Sequence, residues 1–163
     1  MNAAHSIDAP TYTVEPQSDD DSIIARALAI LAARIKAGPL MDSPRAVREY
    51  LTVQAAKHDA REVFGVIFLD AQNRLIEFKE LFTGTLTQTS VYPREVVREA
   101  LRLNAAAVIL SHNHPSGETR PSRADEVLTS TLKTALALVD VRVLDHIITA
   151  GGTSASMAEL GLI

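Results

Sequence analysis

The spacing of apolar positions changes character near residue 60. Before that point it is helical. Ile24, Ala27, Leu28, Leu31 and Ile35 fall on one face behind Asp19, Asp20, Asp21 and Ser22. Those acids suit the positive end of a helix, and Asp21 or Ser22 can cap it. Gly38 and Pro39 stop the run. Ser43 and Pro44 then open a second helix, with Val47, Tyr50, Leu51 and Ala55 as its apolar face, fading near Lys57, His58 and Asp59. Residues 1 to about 19 are broken by Pro10, Pro16 and the acidic triplet. They read as a tail, with Thr11 to Val14 as a short edge strand at most.

Beyond residue 60 the period shortens. Glu62 to Asp70 is apolar on both faces and predicts a central strand. Ala71 to Arg74 predicts a hairpin turn, Leu75 to Phe82 the returning strand, and Thr85 to Val91 a third strand. Pro93 opens a helix to about Asn104, whose buried side includes Val96, Val97, Ala100, Leu101 and Leu103. Ala105 to Leu110 is an apolar run of strand length. Ser122 starts a long helix to about Val139, with Val127, Leu128, Leu132, Leu136 and Leu138 as apolar members, and Val141 to Thr149 is a further strand. The order predicts an α/β fold, a mixed sheet flanked by helices. The domains expected are a flexible tail at 1–19, a helical prelude at 20–58 and the α/β domain at 59–163.

Composition narrows this picture. A chain of 163 residues, 47% hydrophobic, suits one domain with a real core, and only 4% aromatic residues leaves that core to Ala, Val, Ile and Leu. The absence of cysteine excludes disulfides, Cys-ligated zinc and thiol catalysis, and fits a reducing compartment. A net charge of -4 predicts no strong non-specific grip on nucleic acid. No apolar run approaches the roughly 18 residues of a membrane span, and no basic start leads into an apolar stretch as in a secretory signal. A cytoplasmic protein without a membrane partner is expected.

The chemistry gathers after the Ala105–Leu110 run, in Ser111-His112-Asn113-His114-Pro115-Ser116-Gly117. Side chains on a strand alternate, so His112 and His114 emerge on the same side. Asp125, at the start of the next helix, is the candidate third ligand. Two His and one carboxylate with a position left open is a set typical of catalytic zinc. Ser122 and Asp125 equally fit an ordinary helix N-cap and its N3 acid, and both roles can hold together. Pro115, Ser116 and Gly117 suit a type I turn after His114. His146, beside Asp145, reads as core or as support behind the ligands and is left outside the site. Arg94, Arg98 and Arg102 form a basic row that Glu95 and Glu99 offset, as on a solvated helix face.

The spacing His112-x-His114, seven residues, Ser122, two residues, Asp125 resembles the metal motif of the JAMM (MPN+) metallohydrolases. Pro93 to Val97, Asn104 to Ala107, Ser111 to Gly117, Pro121 to Asp125 and Asp145 to Ile148 are similar to the RadC branch, and the likeness covers about residues 22–163. The resemblance implies a JAMM/MPN-like, cytidine-deaminase-like layered architecture. It implies one Zn2+ per chain on His112, His114 and Asp125, with water as the fourth ligand. It places the general acid/base on Glu62, with Glu77 and Glu80 as fallbacks, and oxyanion stabilisation on Ser122. Longer RadC proteins carry a helix-hairpin-helix region, so a short RadC-like form is expected. The implied activity is cleavage of a peptide or isopeptide bond in a protein or peptide whose identity the sequence leaves open, as it does the oligomeric state. A RadC-like role in DNA repair or recombination through nucleic-acid or partner binding is the alternative, unsupported by the charge. A non-catalytic MPN-like scaffold is the third, and the intact ligand set argues against it.

Overall fold

An apolar run buried along its whole length needs a neighbour on each side, and Val63–Leu69 (β1) has both. A computed structural model describes residues 38–41, 43–55, 61–84 and 90–163, with Ser22, Ile23 and Arg26. The expected tail, most of the expected first helix and residues 85–89 of the expected third strand lie outside the described residues; Ser90 and Val91 are described and are not in a strand. The elements below all belong to one unit, Ala37–Ile163.

On one side β1 pairs antiparallel with Leu75–Thr83 (β2), and on the other with Ala107–Asn113 (β3). Arg142–Ala150 (β4) runs parallel to β3, and Thr153–Ser156 (β5) closes that edge, giving the order β2-β1-β3-β4-β5. The hairpin between β1 and β2 is held by Asp70, whose Oδ1 accepts from the backbone N–H groups of Gln72 and Arg74, both at 2.8 Å. Asn73 supplies the left-handed residue that the turn requires, at φ 58°.

Helices cover both faces. Pro44–Ala55 (α1) buries Val47 and Leu51, with Met41, against Ile67, Leu69, Ala107, Ile109 and Ile147. The second helix expected of the prelude is thus packed directly on the sheet. On the other face, Pro93–Arg102 (α2) and Arg123–Ala137 (α3) bring Val96, Ala100, Leu132 and Leu136 against Phe64, Val66, Phe68, Val108, Leu110 and Val143. Each fully buried Val, Leu or Phe among these contributes roughly 1.5–3 kcal/mol. Both α2 and α3 end in a left-handed residue, Asn104 at φ 51° and Asp140 at φ 59°. The following N–H returns to the helix, Ala105 to the Ala100 carbonyl and Val141 to the Leu136 carbonyl. These Schellman-type endings aim the chain into β3 and β4.

Helical spacing overstated the buried side of α2 at Leu101, and two apolar members of α3 also face solvent. Leu101 is 57% exposed, Val127 56% and Leu138 84%. On α2 the buried stripe is Val96, Ala100 and Glu99; the Glu99 carboxylate accepts from Lys79 Nζ (2.7 Å) on β2 and from Arg102 Nε (2.8 Å). Leu138 is the C-cap of α3, where the helix has already turned toward solvent.

Register shifts displace simple alternation at three other places, one of them at Ile76, between the Phe68–Glu77 and Leu69–Leu75 pairs. Phe64 pairs with Phe82 while Gly65 pairs with Glu80, so Leu81 is an extra residue and both Leu81 and Phe82 pack on the α2/α3 side. Val108 pairs with Val143 while Ile109 pairs with Asp145, so Leu144 is extra in β4. Among the described residues no helix is long and apolar enough to cross a membrane.

Candidate metal centre

His112 stands on β3 between two paired neighbours, Phe64 on β1 and Ile148 on β4. It shares the face of Val108 and Leu110, the face covered by α3, and is only 3% exposed. His114 lies one residue beyond β3, and its backbone N–H still donates to the Thr149 carbonyl at 2.8 Å. The chain then reverses: Gly117 N–H donates to the His114 carbonyl at 3.2 Å, and Gly117 has φ 84°. That turn brings Glu118 back, so that His114 Nδ1 lies 2.7 Å from the Glu118 carbonyl. A carbonyl only accepts, so Nδ1 carries the proton and the neutral ring leaves Nε2 bare.

Asp125 reaches the same place from α3. Ser122 caps that helix in a capping box: Asp125 N–H donates to Ser122 Oγ (3.2 Å), and Ser122 N–H donates to Asp125 Oδ2 (2.7 Å). The Ser122 hydroxyl also donates to Oδ2, at 2.7 Å. Oδ1 remains turned toward the histidines, 3.3 Å from His112 Nε2, while Oδ2 lies 3.7 Å from His114 Nε2. The two Nε2 atoms face each other at 2.8 Å. One ligand atom from each of His112, His114 and Asp125 thus lies within 4.8 Å of the others, and this group could hold a metal ion. Two nitrogens and one carboxylate oxygen are a donor set that divalent transition metals accept.

Burial governs the electrostatics. It pushes the His112 imidazole down from 6.5 to about 4, with Asp125 pulling the other way and His114 adding to the fall. A neutral imidazole is the form that ligates. His146, fully buried, is also lowered, first by burial and then by His112 and His114. Phe64 forms the apolar wall behind these rings, stacked on His112 at 6.4 Å and edge-on to His146 at 5.7 Å.

The His112, His114 and Asp125 side chains open onto a cavity of about 620 Å³, which Glu62, Ser122, Phe64, Val91, Pro93 and Val127 help to line. Glu62 is therefore brought to the cavity that His112, His114 and Asp125 share. Asn113, between the two histidines, fixes the backbone around it: its Oδ1 accepts from Val63 N–H (2.7 Å) and its Nδ2 donates to the Arg61 carbonyl (2.9 Å). Glu77 instead meets Arg102 at 3.1 Å, and Glu80 lines a different, smaller pocket beside Phe78; neither lines this cavity.

Behind the candidate ligands stand His146, which the sequence reads as core or as support and which is both, and Thr129, which the sequence does not single out. His146 Nε2 lies 2.8 Å from His112 Nδ1, and Thr129 Oγ1 lies 2.6 Å from His146 Nδ1. Counting by twos from Val143 places His146 on the opposite face; the extra Leu144 turns it toward α3. The available signal was the unusual pairing of a histidine with an apolar strand. Thr129 gave none, being one of several threonines on α3.

A layered α/β domain with a His-x-His turn beneath a capped helix that carries an acid is the frame of a JAB-type domain with a candidate metal site. The chain belongs to the RadC-like JAB domain family, whose model matches residues 41–162. It is 62% identical over 133 residues to a UPF0758 protein of Methylibium petroleiphilum, covering 82% of this chain and 60% of that protein. It is 56% identical over 147 residues to a UPF0758 protein of Leptothrix cholodnii, covering 90% of this chain and 66% of that protein. The chain thus spans about three-fifths to two-thirds of these relatives, and their names state no activity.

Proposed function

We propose that the domain is a zinc-dependent hydrolase that cleaves a peptide or isopeptide bond. The observation that carries this reading is the convergence of His112 Nε2, His114 Nε2 and the Asp125 carboxylate on a cavity that Glu62 also lines. Zinc held there would supply Lewis acidity, generating hydroxide near neutral pH and polarising a carbonyl. Glu62 takes a proton from the attacking water and returns it to the leaving amine. Ser122 Oγ lines the same cavity; its proton rests on Asp125 Oδ2, and rotated away from that oxygen it donates to the developing oxyanion. The cavity is open and partly apolar, which suits a stretch of polypeptide, and a cysteine-free chain of this kind fits the cytoplasm.

The arginine row gives a nucleic-acid role no comparable support. Arg94 and Arg98 pair with Glu95, and Arg102 pairs with Glu77 and Glu99, so the row is locally neutralised.

Glu62→Gln tests the reading. Zinc-loaded wild type and variant are compared on a panel of peptides and isopeptide-linked conjugates. The variant should keep its zinc and lose roughly 10²–10⁴ in rate. Equal rates would remove Glu62 from the chemistry, and a zinc-loaded wild type inert on the whole panel would defeat the hydrolase reading.

A further inference from the structure

The hydrogen bonds behind His112 run in one direction. Thr129 has one hydroxyl proton and three neighbours, the Asp125 carbonyl and His146 Nδ1, each at 2.6 Å, and the weak acceptor Met157 Sδ at 3.6 Å. The carbonyl can only accept, so the hydroxyl donates to it and accepts from His146 Nδ1–H. The neutral His146 ring then has a bare Nε2, and the proton in the 2.8 Å contact belongs to His112 Nδ1. That leaves His112 Nε2 bare. His114 Nε2 is bare as well, because Nδ1–H is committed to the Glu118 carbonyl. Two lone pairs therefore meet at 2.8 Å, a repulsive contact that a cation between them relieves.

We propose that His146 and Thr129 are positioning residues for the metal, acting as a relay that locks His112 in its Nδ1–H tautomer and ties it to the helix carrying Asp125. This inference rests on the metal reading above. Histidine ligands usually donate their second N–H to a carboxylate, a carbonyl or water. Here the acceptor is a second imidazole, and the chain of donors ends on the backbone of another ligand. The relay spans β3, β4 and α3, and it exists only because the Leu144 bulge turns His146 toward α3. It makes the ligand geometry of His112 depend on the placement of Asp125, and the reverse.

The test is a zinc titration of the metal-free full chain against a competing chromophoric chelator. His146→Leu keeps bulk and removes both hydrogen bonds; His146→Gln keeps an acceptor toward His112 and a donor toward Thr129. The expected result is a roughly 10–100-fold loss of zinc affinity in His146→Leu, most of it restored in His146→Gln. Imidazole nitrogen-15 spectra of the metal-free protein should show His112 as the Nδ1–H tautomer in wild type and no longer fixed in His146→Leu. Wild-type zinc affinity in a folded His146→Leu would overturn the relay and leave the metal site standing, whereas a wild type that binds no zinc would overturn both. Should His146→Leu fail to fold, Thr129→Val carries the test: weaker zinc binding than in Thr129→Ser supports the relay, and affinity equal to wild type overturns it.

Discussion

His112 and His114 are two residues apart and hold their ligand atoms against each other, yet they live in different surroundings. His112 is strand-borne, paired on both sides, walled by Phe64 and backed by His146 and Thr129. His114 is turn-borne and half-buried, and its ring rests on one bond to the Glu118 carbonyl. The first is fixed by the core and the second by a local turn. A site built this way keeps one ligand rigid and places the other where the cavity opens, so fold stability and metal binding become separable properties.

Replacing each histidine by alanine should therefore separate them most clearly. Both variants should lose zinc by more than the ~10–100-fold typical of an outer-shell change. In chelator, denaturant unfolding should show His112→Ala destabilised by about 2–4 kcal/mol, from a core cavity and an unpaired His146, and His114→Ala by less than ~1 kcal/mol. Equal destabilisation would erase the distinction. A smaller effect follows from pH. The His112 pKa is 6.5 unfolded and about 4 folded, so between those values the unfolded chain binds more protons and stability rises with pH. The metal-free protein should hold this stabilisation above pH 6.5 and lose up to ~3 kcal/mol as pH falls toward about 4. His114→Ala should keep that dependence and His112→Ala should weaken it, with buried His146, whose pKa is lowered in the same direction, supplying what remains; the same slope in both would contradict the assignment to His112.

Asn113 offers the smallest and most local contrast. Asn113→Ala leaves Val63 N–H and the Arg61 carbonyl without that side chain, at a cost of about 1–3 kcal/mol. Because those groups flank Glu62, hydrolysis should fall while zinc affinity changes little. A matching fall in both would mean that Asn113 acts on the ligands instead.

Much of this arrangement was legible in the sequence, for physical reasons. An apolar run ending in His-x-His before a Pro/Gly turn fixes the side on which both imidazoles emerge, and the Ser-x-x-Asp cap fixes where the acid starts its helix. The strand apolar on both faces could only be central, and Glu62 at its head then reaches the same cavity. What stayed hidden depends on register. Extra residues at Leu81 and Leu144 shift alternation by one, which joins Leu81 and Phe82 on one face and turns His146 toward the metal side. The span of a helix's buried stripe was also hidden, since periodicity gives its direction and not its width; Leu101 and Leu138 lie outside it. Asn113 escaped notice because its work is done on backbone groups about fifty residues away in sequence.

The central claim is that His112, His114 and Asp125 bind one metal ion. Metal-free protein should be titrated with zinc and its stoichiometry read by mass spectrometry under native conditions, alongside His112→Ala. The expected result is one zinc per wild-type chain and none retained by the variant. A wild type that takes up no zinc, or a variant that retains one per chain, would contradict it.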